Sequence, residues 1–211
     1  VDRISAAFGI LDDLGNRVTP RPQDLTEYLR FWQQHFLAAP DQEDTVAFEG
    51  GAKQIYAKLA ETAEGLGEFV RWKIRELEVK TSEPQLSSDD TESLANEIRA
   101  TSAFQAASTV EEQQALLTRM LSVAIHENEP HLAVYLSEHG FTKLSSEAAA
   151  RSLIDALIIN RDVKSSHNAV VDDFLARATA TDVSATGDSL VQLLGDLRFL
   201  QGRYDDAVLL Y

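Results

Sequence analysis

Two imidazoles and two carboxylates fall together at His126-Glu127-Asn128-Glu129-Pro130-His131, donor types that could hold a divalent cation. The histidines are spaced by five across a proline turn, which is not the i, i+4 helix pair of a zinc protease, and no third ligand accompanies them. A solvated turn between helices accounts for the same residues. His35, His139 and His167 each stand alone near expected helix ends, without a Ser and Asp partner set, so a surface or capping role is expected. Acid pairs recur at Asp12-Asp13, Asp89-Asp90, Asp172-Asp173 and Asp205-Asp206. Adjacent helical residues point about 100° apart and make no shared-proton dyad, so these pairs read as exposed, solubilising charge. The one basic cluster with an aromatic is Arg71-Trp72-Lys73-Ile74-Arg75, where a phosphate or an acidic peptide could make contact. On a helix its three bases spread over ~200° and Trp72 falls off the apolar stripe. Packing against a neighbouring helix is the commoner fate of such a residue, and exposure would make it an anchor for a partner. No Gly-rich phosphate loop, dinucleotide fingerprint, nucleophile elbow or His-Glu-x-x-His occurs in the sequence. No catalytic residue, cofactor or metal is assigned, and a non-enzyme is expected.

The elements that would position these residues are helical. Only 5 Pro and 10 Gly punctuate the 211 residues, and the apolar positions between them recur at three and four, so the chain is read as all-α. A first helix is expected over Asp2 to Leu14, ending at Gly15-Asn16. A second runs from Gln23 to Ala39 with Leu25, Tyr28, Leu29, Trp32 and Phe36 as a core stripe. One long amphipathic helix is expected over Ala52 to Lys80, with a kink or a close helix crossing at Gly65 and Gly67. The most polar stretch follows, so residues 1–80 are read as an N-terminal helical region, 81–91 as a polar linker or loop, and 92–211 as a region of shorter helices.

Those shorter helices repeat. Leu116-Leu117 with Met120-Leu121, Leu153-Ile154 with Leu157-Ile158, and Leu190-Val191 with Leu194-Gly195 are each displaced by 37 residues from the last. The second helices keep the offset, since Val170-Val171 and Phe174 precede Ala207-Val208 and Tyr211 by 37. Leu132 and Leu136 precede Val170 and Phe174 by 38, as a one-residue change in the turn between would produce. Paired helices at such a period are the mark of stacked helical hairpins.

The last copy has Leu194 and Gly195 in its first helix, Gly202 and Tyr204 at the turn, and Ala207 and Tyr211 in its second. In that register it resembles the tetratricopeptide repeat, closely over about 18 residues and loosely over about 100. The resemblance implies an α-solenoid of antiparallel hairpins with a peptide-binding face. Gly195 and Ala207 would allow close helix approach, Gly202 the tight turn, and Tyr204 and Tyr211 would fill the space around them. Earlier copies depart from the pattern, with Ile158, Ser165 and His167 at the positions of Gly195, Gly202 and Tyr204. The pattern is expected to run past Tyr211, leaving its last hairpin uncapped and disposed to self-association. The other end, Val1-Asp2-Arg3-Ile4, carries neither an initiator Met nor a signal-peptide pattern.

Charge narrows the partner. The chain carries 34 Asp+Glu against 19 Lys+Arg, a formal −15, with 19 acids and 11 bases in residues 1–100 and 15 and 8 in 101–211. A field of this sign argues against nucleic-acid binding, which gains its affinity by releasing counterions to a basic surface. No apolar run reaches the ~18 residues of a membrane span, so membrane insertion is not expected and a cytoplasmic location is. The absence of cysteine removes disulfide frameworks, thiolate metal sites and thiol nucleophiles together. The expected role is a scaffold or adaptor that binds a basic or apolar segment of another protein. The alternative is a helical regulatory or accessory region of a larger enzyme or membrane-trafficking assembly. Partner contacts are expected at Trp72, Arg119, Arg151 and Arg198, although the three arginines are offset by 32 and 47 and form no regular column.

Overall fold

A computed structural model describes residues 9, 22–37, 45–160, 169–180 and 190–211, and every regular element among them is helical. Apart from Gly9, the helix expected over Asp2 to Leu14 lies outside the described residues, as do the turn positions Ser165 and His167. Two compact units result: Val1–Pro84 with Thr101–Ala103, and Gln85–Ala100 with Phe104–Tyr211.

The first unit is built on α1 (Pro22–Trp32), which runs into a wider π-turn at Gln33–Leu37. Leu25, Tyr28, Leu29 and Trp32 share its inner face, all at most 3% exposed. The Phe36 side chain lies outside the described residues. Two helices then replace the single long one expected from periodicity: α2 (Thr45–Leu59) and α3 (Ala63–Thr81). The break falls at residues 60–62, ahead of the glycines, because Thr62 caps a new helix and accepts the Gly65 N–H at 3.0 Å. Gly65 is what lets α3 start so close to the end of α2. A Cβ built there would stand 2.3 Å from the Leu59 carbonyl oxygen. Of the stripe read from periodicity, Ile55, Leu59, Leu66, Val70 and Ile74 are buried on either side of the break, whereas Ala63 at the break is exposed and Leu77 is half-buried. Residues 101–103 join this unit, with Ala103 N–H donating to the Ala60 carbonyl at 2.9 Å.

The second unit begins with α4 (Ser88–Arg99), capped by Ser87; the short α5 (Ser102–Ala106) that follows has its first two residues in the first unit and the rest in the second. Its longest helix is α6 (Val110–His126), held at its start by a capping box between Thr109 and Glu112. The Glu112 carboxylate accepts the Thr109 and Ser108 N–H groups, which pulls it below the usual carboxylate range. Then come α7 (Pro130–His139), α8 (Ser146–Ile159), α9 (Ala169–Ala180), α10 (Leu190–Leu200) and α11 (Tyr204–Leu210). From α6 onward chain neighbours pack, and so do alternate helices: α6 lies against α8, α8 against α10 and α7 against α9, while α7 also lies against α4. The residues displaced by 37 serve this packing alike. Leu116, Leu153 and Leu190, and Met120, Leu157 and Leu194, are buried in all three helices.

Two glycines in the first unit test this account in opposite directions. Gly65→Ala forces backbone to move and is expected to lower stability by about 2 kcal/mol or more. Gly50, exposed in α2 with nothing within 4 Å of where a Cβ would stand, should gain about 0.5–1 kcal/mol on replacement by Ala. Urea unfolding of the two variants checks both signs.

Candidate partner-binding site

In the first unit, Trp72 is 4% exposed and packs inside α1–α3, because its helix position faces α1 and α2. Its carbonyl accepts from Gln33 Nε2 at 2.9 Å and from the Tyr56 hydroxyl at 3.2 Å, which ties the three helical segments together. Trp72 is therefore a core residue of its unit, not an exposed anchor. The neighbouring bases are engaged locally. Arg71 pairs with Glu68 at 2.5 Å, Lys73 lies 4.7 Å over the Tyr56 ring, and the Arg75 guanidinium lies 5.1 Å over Trp72. The basic cluster that the sequence suggested for a phosphate is spent on intramolecular contacts.

In the second unit, the three arginines expected to hold a ligand differ in kind. Arg119 on α6 is exposed, and Arg151 on α8 makes two hydrogen bonds to Glu147 Oε1, at 2.9 and 3.1 Å. Arg198 is 5% exposed, with Nη1 at 2.7 Å from Asp172 and donating to Gln201 at 2.8 Å. Its position explains its burial, since it extends the apolar stripe Leu190, Leu194 and Leu197 and must find a carboxylate there. Arg198 thus joins α10 to α9 and is closed to a partner, and the packed helices α6, α8 and α10 present no common row of free arginines.

Asp172 is the residue that pattern reasoning passed over. It lies within an acid pair that reads as exposed charge, yet beside its ion pair with Arg198 it accepts a hydrogen bond from Arg203 at 2.8 Å, so one carboxylate faces two guanidinium groups. Its neighbour Asp173 is exposed and pairs with Arg177, as the solubilising reading expects. The signal was Arg198 itself, a charge on an apolar stripe.

The repeat-packing residues behave unequally. Leu194 and Ala207 are buried, and Gly202 has φ +73°, a left-handed turn conformation suited to glycine. Gly195 is buried, but a Cβ there would meet the Tyr211 ring at 3.0 Å and not the backbone of a facing helix. Tyr204 and Tyr211 are 59% and 69% exposed, so they do not fill the interior of the hairpin as expected. Tyr204 instead meets Phe199 edge-on at 5.3 Å, and the Tyr211 hydroxyl donates to Asp196.

The His126 to His131 turn is shaped by Asn128, at φ 61°, and by Glu129, which turns inward to 1% exposure and accepts the Leu86 N–H at 3.0 Å. Both histidines are exposed. Among the described residues no group of three His, Asp or Glu is placed to hold a metal ion, and no helix is long and apolar enough to cross a membrane. Comparisons with protein-family models, curated proteins and solved structures gave no match to this chain.

Asp172→Ala leaves Arg198 buried without its counter-ion and is expected to cost about 3 kcal/mol, whereas Asp173→Ala should stay within ~0.5 kcal/mol. Chemical denaturation separates the two. Gly195→Ala is expected to cost little, within about 1 kcal/mol either way, because the exposed Tyr211 ring can swing aside while Ala gains helix propensity. A loss above about 3 kcal/mol by the same measurement would show that the site demands glycine for backbone approach.

Proposed function

We propose that this chain is a non-catalytic protein-interaction scaffold or adaptor whose second unit is a tetratricopeptide-like α-solenoid. The observation that carries the reading is the packing of alternate helices, α6 on α8 on α10 and α7 on α9, with α4 against the other side of the series at α7, the neighbour pattern of stacked hairpins. Support also comes from the burial of the 37-residue-phased leucines in all three first helices, and from the left-handed turn at Gly202. The partner proposed is another protein, through a basic or apolar segment, because the chain carries a formal charge of −15 spread over both halves. The cytoplasm remains the proposed location.

Stability in stacked hairpins is a sum of local and nearest-neighbour contributions, so it can be lost one end at a time. Native-state hydrogen exchange on Leu194→Ala should show protection falling in α10 and α11 while α4 and α7 keep theirs. Uniform loss across 85–211 would indicate a closed, fully cooperative bundle and defeat the solenoid. For the binding role, a panel of basic, neutral and acidic helical peptides presented to the full chain should retain basic members. Retention of none would defeat the scaffold.

A further inference from the structure

We infer that α4 is an intramolecular stand-in for the partner: it occupies the face of α7 that takes a basic amphipathic helix of another protein, and the partner binds by displacing it. The inference rests on the interaction role proposed above and gives that role a place and a restraint. By position α4 is a second helix of the series, because Leu94, Ala95 and Ile98 stand 38 residues before Leu132, Ala133 and Leu136 of α7, and all six are buried. It also runs in the same direction as α7. The Leu86 N–H ahead of α4 donates to Glu129 at the start of α7 at 3.0 Å, and Arg99 at the end of α4 donates to the His139 carbonyl at the end of α7 at 3.3 Å.

The bracing of α4 is unlike that of the second helices after it. α7 is flanked by α4, α6, α8 and α9, and α9 by α7, α8 and α10, whereas among the described residues α4 packs closely against α7 alone. A helix of 12 residues is marginal in water, so its place depends on one buried stripe, Thr91, Leu94, Ala95 and Ile98, and on a single clasp at each end. That stripe has i, i+3, i+4, i+7 spacing, which a helix from another protein can reproduce. Charge selects the competitor. α4 carries Asp89, Asp90, Glu92 and Glu97 against Arg99 and docks within a chain of formal charge −15, so like charge opposes it. A helix with the same stripe and Lys or Arg at the outward positions 92, 93, 96 and 97 gains from the field that α4 works against.

The test uses the full 211-residue chain and two fluorescent peptides, residues 85–100 as they stand and the same segment with Lys in place of Glu92, Ser93, Asn96 and Glu97. By fluorescence anisotropy the lysine peptide should bind about tenfold more tightly than the native one, and less so as salt rises. At saturation, hydrogen exchange should show the amides of α4 losing protection while those of α8 keep theirs. Leu94→Ser with Ile98→Ser in the full chain frees α7 of its occupant and should tighten lysine-peptide binding about tenfold, because less of the protein is held in the closed state. Three results overturn the inference: equal binding of the two peptides, lysine-peptide binding that leaves α4 protected, or unchanged affinity in the double variant while α6 and α8 remain protected. Binding with α4 still protected removes only this site and leaves the scaffold role standing. Failure of every peptide in the wider panel removes the scaffold role itself.

Discussion

Helices of the second unit are short, from α6 at 17 residues to α11 at 7, with α5 at 5, and helices shorter than about 12–15 residues are marginal in water by themselves. Each must therefore be held by neighbours, and the packing of alternate helices meets that need. α8 is gripped by α6, α7, α9 and α10 together, and its inner positions from Ala149 to Leu157 are among the most buried in the chain. The same constraint applies to α11, whose helix neighbour is α10. It rests on α10, with Ala207 as its buried residue and Tyr211 folded back over Gly195.

Polar groups inside both units serve the same purpose, joining helices that the chain does not otherwise connect closely. Asp172 draws Arg198 and Arg203 to α9, so the last hairpin is bound by charge as well as by leucines. Glu129 fastens the segment before α4 to the start of α7 through the Leu86 N–H. In the first unit the Trp72 carbonyl takes two donors, from Gln33 and Tyr56 on the other helical segments. A buried polar group left alone costs far more than a paired one contributes, so each of these contacts also excludes alternative packings.

That economy bears on the proposed role. Most of the bases that looked available for a ligand are already satisfied within the chain, through Glu68, Glu147, Asp172 or an aromatic ring. Among the described residues, Asp196 and Asp205 on α10 and α11 remain outward beside exposed apolar side chains. A surface of that kind complements a basic amphipathic segment and repels an acidic one.

The helical class, the core stripe of α1 and the phased leucines of α6, α8 and α10 were legible in the sequence because apolar periodicity records which face of a helix avoids water. The pattern could not show that the stripe over 52–80 belongs to two helices. Periodicity survives a break of three residues, and only the approach of α3 to the Leu59 carbonyl shows why Gly65 is there. Nor could it separate the arginines, since Arg119, Arg151 and Arg198 are the same side chain until tertiary packing exposes one, ties one to Glu147 and buries one against Asp172. Burial and pairing are properties of neighbours brought from elsewhere in the chain. Amino-acid order alone determined which surfaces must leave water, and the tertiary structure decided which charges and aromatic rings were left facing it.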